Sequence, residues 1–248
     1  SLILSSMEKL STGLRITKAG DDAAGLAVSE KMRAQIRGME QAERNVQDGI
    51  SMVQTAEGAL EEAGNIAQRM RELGVQAGND TLSAEDRTKV KEELKQLQDE
   101  MTKIADETKF NGKALLNTLG TFKIQAGANK ETRDVVTADL SSIAKGISIS
   151  TLSTASNAQS LVESIDTALS SINEARSNLG AMQNRLEYTA ANLTTSTENL
   201  TAAESRIRDV DVAKEMVTLS KLNILNQASQ AMVSQAKQQP ESVSQLLR

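Results

Sequence analysis

The residues best placed for chemistry in this chain are two adjacent carboxylate pairs, Glu61-Glu62 and Glu92-Glu93. General acid/base catalysis needs carboxylates that face one another across a substrate. Neighbours on a helix point in different directions, so each pair reads as a solvated helix face. Histidine and cysteine are both absent. That removes His-dependent nucleophilic triads, His-ligated zinc, thiolate chemistry and disulfides. No HExxH, GxxxxGK[ST] or GxGxxG pattern occurs, and neither a catalytic residue nor a cofactor or metal is expected. The run Gln68-Arg69-Met70-Arg71-Glu72-Leu73 suits binding better than catalysis. Two arrangements are open for it. Leu73 is an exposed apolar residue beside Arg69, a pairing typical of protein-binding spots, or it packs beneath an adjacent helix.

These groups must be carried by helices. Ile165, Ile172, Leu179, Leu186, Leu193, Leu200 and Ile207 recur every seventh residue with no proline between them. Such a ladder predicts one long helix with an apolar seam that needs a partner helix. A strict seven-residue repeat implies a gentle left-handed supercoil, since a straight helix drifts by about 20° per heptad. A second ladder, Met32, Met39, Val46, Val53, Leu60 and Ala67, supplies the partner. Each has a second row of mostly small residues, Ala42, Gly49, Ala56 and Ala63 in one and Ala168, Ala175 and Ser196 in the other. Segments 26–77 and 159–207 are therefore expected to pair antiparallel, with axes near the short end of the usual range of about 8–10 Å.

Between them, Gly78-Asn79-Asp80 ends the first long helix and Ser83-Ala84-Glu85-Asp86 opens the next with an N-cap. Val90, Leu94, Leu97, Met101 and Ile104 give that helix its stripe. Asn111-Gly112 signals a turn, and residues 113–150 are expected to hold a few short strands. Ser148 to Ser160 reads as a loop. Before the first ladder, Leu2, Ile3, Met7, Leu10 and Leu14 suggest a short helix ended at Gly20-Asp21-Asp22. After Ile207 the pattern breaks at Asp209-Val210-Asp211, resumes through Val212, Met216, Leu219, Leu222, Leu225 and Met232, and meets Pro240. The fold class is thus mainly α: a long antiparallel coiled-coil or helical-bundle rod with a small β-hairpin region and terminal helices.

Composition agrees. Aromatics are 1% of the chain, too few for a large globular core, so the apolar content suits helix seams. A net charge of -5 speaks against nucleic acid as a partner. No apolar run approaches the ~20 residues of a membrane span, so no membrane insertion is expected. Ser1 to Ser6 is too short and uncharged for a secretory signal peptide.

Several short motifs occur in a fixed order: Leu10-Ser11-Thr12-Gly13-Leu14-Arg15-Ile16, Gly20-Asp21-Asp22-Ala23-Ala24-Gly25, Gln54-Thr55-Ala56-Glu57-Gly58-Ala59-Leu60, Arg71-Glu72-Leu73 and Phe110-Asn111-Gly112. Ile124-Gln125-Ala126-Gly127-Ala128-Asn129, Leu179-Gly180-Ala181-Met182-Gln183-Asn184-Arg185, Ser205-Arg206-Ile207-Arg208-Asp209 and Gln245-Leu246-Leu247-Arg248 follow. Together they resemble the bacterial flagellins. The resemblance implies a secreted, extracellular structural subunit of the flagellar filament, self-assembling for motility and exported unfolded. Its implied partners are other flagellin subunits, an export chaperone, a cap protein and Toll-like receptor 5.

Mapped by resemblance, residues 1–25 form an incomplete inner-domain helix and connecting segment. Residues 26–207 form a helical rod domain with a β element at about 113–150, and residues 208–248 form a connecting segment and C-terminal inner helix. Only 130–158 separate the matched motifs, so large outer domains are expected to be absent. The family has more helix before the equivalent of Ser1. Arg69, Leu73 and Glu100 match the family's receptor-recognition patch, and Gly74 stands where a larger residue is common. The nearest alternative is a hook–filament junction protein. A chemoreceptor-like rod and an enzyme fit less well.

Overall fold

The computed structural model describes residues 23–149, 152–208 and 216–232. It is mainly helical, with two small antiparallel strand pairs. Helix α1 (Ala23–Ala77) precedes α2 (Ala84–Glu107), β1 (Lys109–Phe110), β2 (Lys113–Ala114), β3 (Thr121–Gln125) and β4 (Thr132–Val136). Helices α3 (Leu140–Lys145) and α4 (Ala155–Arg208) follow. Residues 216–232 are also helical, with Met216, Leu225 and Met232 exposed. The expected N-terminal stripe from Leu2 to Leu14, the breaks at Gly20–Asp22 and Asp209–Asp211, Val212 and Pro240 lie outside the described residues.

Contacts divide the chain into two compact units, Gly38–Thr195 and a second made of Ser1–Arg37 with Ser196–Arg248. In the larger unit α1 and α4 run antiparallel: Gly49 lies by Leu186, Gly64 by Ile172, Gly74 by Val162 and Gly78 by Ala158. Both ladders point into this seam. Val46, Val53 and Leu60 are buried on α1, as are Ile165, Ile172, Leu179, Leu186 and Leu193 on α4, and Met39 packs at the edge. Each such side chain stabilises the pair by roughly 1.5–3 kcal/mol. The small second row, Ala42, Ala56, Ala63 and Ala168, is buried beneath them.

Gly74 is buried against α4. A Cβ there would stand 2.9 Å from Val162 Cγ2, so the missing side chain is what lets the two helices meet. At Gly49, a Cβ would touch both Ile124 of β3 and Leu186 of α4.

The smaller unit closes differently. Its ladder residues Met32, Leu200 and Ile207 are only half-buried, and a polar cluster joins the two helix segments of the seam. The buried Ser29 hydroxyl donates to Glu204 Oε1 at 2.9 Å, Arg33 Nε lies 3.4 Å from the same oxygen, and Arg208 Nη2 donates to Glu30 Oε1 at 3.3 Å.

Between α1 and α2 the corner is built by capping. Gly78 N–H donates to the carbonyls of Gly74 and Val75. Ser83 and Asp86 form a reciprocal capping box at the start of α2. Helix α2 buries Val90, Leu94, Met101 and Ala105, while Leu97 and Ile104 pack at the edge.

The β region differs in detail from expectation. Asn111 (φ +51°) and Gly112 (φ +75°) adopt the positive φ pair of a tight hairpin turn, so β1 must begin before residue 113. Strands β3 and β4 pair from Thr121↔Val136 to Gln125↔Thr132. Residues 140–145 are helical rather than extended, because Asp139 caps Ser142 N–H at 3.0 Å and Leu140 and Ala144 bury one face. The expected Ser148–Ser160 loop is shortened by α4. Thr154 Oγ1 accepts from Asn157 N–H, and Asn157 Oδ1 accepts from Thr154 N–H, a reciprocal cap at the helix start.

Candidate interaction site

Helices α1 and α2 lie side by side and place Arg69, Glu72, Glu93 and Glu100 on solvent. Arg69 Nη1 donates to Glu72 Oε2 and Nη2 to Glu93 Oε1, both at 3.2 Å. The bond to Glu72, then the bond and charge of Glu93, push the guanidinium pKa up from its usual value. All three side chains are about half exposed or more, so the pairs orient one another and add little stability. Glu100 follows Glu93 by two helical turns on α2 and is exposed. The patch is therefore one oriented guanidinium within a row of carboxylates.

Leu73 does not belong to that surface. It is 2% exposed and sits in the hydrophobic core. The reading of an exposed Leu73 beside Arg69 is corrected: the alternative, packing beneath the adjacent helix, is what the structure contains. Helix α1 has two helical neighbours, so its apolar face is wider than one heptad seam.

Two polar anchors carried no sequence signal. Arg87, 9% exposed, donates from Nε to Ala77 O at 3.0 Å and from Nη2 to Asn79 O at 3.1 Å, tying the end of α1 to α2. Gln98 Nε2 donates to the carbonyls of Ala144 and Ile147 at 2.7 and 3.0 Å, holding α3 and the segment after it. An isolated Arg and Gln in a helical sequence have nothing to mark them, since their partners are backbone groups set by tertiary structure.

The carboxylate pairs behave as surface. Glu61, Glu62 and Glu92 are exposed, and Glu93 is engaged by Arg69. Among the described residues no group of carboxylates is arranged to hold a metal. The described helices include none long and apolar enough to cross a membrane. Surface grooves are shallow; one of about 520 Å³ lies between α3, β4 and α4, lined in part by Leu119, Val136, Asp139, Ser171 and Glu174.

The described residues form long paired helices whose exposed α1–α2 face is ion-paired. Residues 1–121 match the model of the bacterial flagellin N-terminal helical region, and residues 162–247 match that of the C-terminal helical region. The chain belongs to the bacterial flagellin family, structural proteins of the flagellar filament. It is 56% identical to a flagellin of Halalkalibacterium halodurans over 98% of this chain and 91% of that one. With a flagellin of Bacillus subtilis (strain 168) the identity is 48% over 98% and 92%. Among solved structures, Bacillus cereus flagellin superposes with a TM-score of 0.56 at 34% identity, over 65% of this chain and 94% of that one. A protein described as flagellar hook-associated from Vibrio parahaemolyticus shares the fold alone, with a TM-score of 0.63 at 14% identity over 76% and 100%.

Proposed function

We propose that this chain self-assembles with copies of itself into the flagellar filament and works in motility. The observation that carries this reading is the match of both halves of the chain to the two flagellin helical regions, with nearly full-length identity to flagellins. The α1–α4 seam supports it physically, since paired heptad ladders make a stiff support for lateral contacts. In this reading residues 26–207 are the helical domain outside an inner tube built from 1–25 and 208–248. The subunit is secreted through the flagellar export apparatus to the cell exterior, with an export chaperone and a cap protein as partners. The hook–filament junction reading is weaker, because the hook-associated likeness is one of fold at 14% identity.

Negative-stain microscopy of the purified chain after seeding with filament fragments tests the reading. Long filaments that grow with added protein are expected. Failure to elongate any seed, by a folded chain, overturns it.

We further infer that Toll-like receptor 5 docks on the α1–α2 face. What supports this is the exposed Arg69, oriented by Glu72 and Glu93, beside exposed Glu100. Buried Leu73 supports that face from beneath.

A further inference from the structure

The outer side of α4, opposite the seam, carries its own regular stripe. Ser171, Glu174, Asn178, Ala181, Arg185 and Tyr188 alternate three and four residues apart, so they share one helix face. Glu174, Asn178, Ala181, Arg185 and Tyr188 are exposed, and Ser171 is half-buried. Tyr188, the single tyrosine of the chain, is 78% exposed. Neither Glu174 nor Arg185 has an ion-pair partner among the described residues.

Read from either end, the stripe complements itself. In an antiparallel pair of α4 helices centred midway between Asn178 and Ala181, Glu174 of each copy falls opposite Arg185 of the other. Tyr188 then falls opposite Ser171, and Asn178 opposite Ala181. The only charges on the stripe thus meet their opposites twice. The centre is small: Ala181 is exposed, and neighbouring Gly180 has open space where a Cβ would be, so two backbones can approach. A receptacle for the aromatic ring is also present. The groove of about 520 Å³ beside Ser171 and Glu174 has the exposed apolar walls Leu119 and Val136. Tyrosine carries a large apolar ring with a polar tip, which suits that mixed lining.

We propose that this face of α4 docks a second copy of the same chain in a two-fold antiparallel pair, with Tyr188 of each copy seated in the groove of the other. A two-fold contact is isologous and closes on itself, so it cannot extend into a polymer. It is a contact of unassembled subunits, separate from those that build a filament, and it stands or falls apart from the filament reading.

Sedimentation velocity of the full chain, over a concentration series at low ionic strength, tests the pair. The average mass is expected to rise from one copy toward two. Glu174→Arg and Arg185→Glu should each weaken association at least tenfold, and the double variant should recover it, because each charge again meets its opposite. Tyr188→Ser should weaken association similarly, with unchanged circular dichroism. The chain has no cysteine, so Ala181→Cys provides a unique thiol close to the two-fold axis. A short bismaleimide is expected to link two such copies. A mass of one copy throughout the series overturns the proposal, and so does a dimer indifferent to Glu174→Arg, Arg185→Glu and Tyr188→Ser. Microscopy of seeded filaments made from the same variants reads the filament assignment separately.

Discussion

Arg87 Nε donates to the carbonyl oxygen of Ala77 at 3.0 Å, across the corner where α1 gives way to α2. The carbonyls at the end of a helix lack intrahelical partners, and this one is satisfied by a buried guanidinium from the next helix. Arg87→Ala therefore leaves the Ala77 and Asn79 carbonyls short of a charged donor. A loss of about 2–3 kcal/mol is expected, measured as a lower denaturation midpoint at unchanged slope. A change below half a kcal/mol would remove Arg87 from the list of structural anchors.

Two glycines of α1 should respond in opposite senses to the same substitution. Gly58 has open space around it, so Gly58→Ala raises stability by about 0.5–1 kcal/mol through helix propensity. At Gly74 the new methyl meets Val162, whose β-branched side chain has little freedom to turn away. Overpacking of about 1–3 kcal/mol outweighs the propensity gain, and Gly74→Ala is expected to destabilise. Urea titrations of both variants decide it; equal shifts in one direction contradict the close approach of α1 and α4.

Receptor docking on the α1–α2 face predicts different outcomes at two residues that look equivalent in sequence. Arg69→Ala removes an exposed, oriented cation, so binding to Toll-like receptor 5 weakens while circular dichroism and thermal midpoint stay the same. Leu73→Ala opens a core cavity and costs about 2–5 kcal/mol of folding stability. Its effect on binding should follow the fraction of folded protein. Surface-immobilised receptor and the two variants suffice. Undiminished binding by Arg69→Ala places the docking face elsewhere.

Part of the acid sensitivity should arise at the start of α2. Hydrogen bonds from the Ser83 backbone, then its hydroxyl, hold the Asp86 carboxyl below its usual range. A depressed folded pKa contributes stability that is fully present above the unfolded value of about 3.9 and is lost as pH falls through the folded value. Stability plotted against pH should therefore decline below about pH 4, and Asp86→Asn should flatten that decline. Glu131, held down by its own backbone N–H and that of Asn129, adds to the same window. An Asp86→Asn curve parallel to the parent in acid would show that the capping box contributes nothing there.

The helical scaffold was largely legible because its signal is one-dimensional. The Ile165 ladder, the small second row and the Ser83 cap each act through residues at fixed spacing. What the spacing hid lies where a residue answers to two neighbours at once. Leu73 stands outside the heptad ladder facing α4, yet it is 2% exposed and lies in the hydrophobic core. Helix α3 was masked by its shortness: six residues give no periodicity, and Asp139 is one aspartate among many. The half-covered state of Met32, Leu200 and Ile207 was equally invisible, since a ladder position states which way a side chain points and says nothing of whether its partner is apolar.

The antiparallel seam joins parts of the chain that are made far apart in time. Gly78 meets Ala158, and Ser29 meets Glu204 across 175 residues of sequence. Contacts of such long range must wait for loop closure, and they form late in folding. During synthesis the apolar ladder of α1 therefore emerges before the α4 ladder that covers it, and its Gly78 end is met first, by Ala158. A nascent chain of this design keeps that ladder uncovered until α4 emerges, and the seam closes from the Gly78 corner.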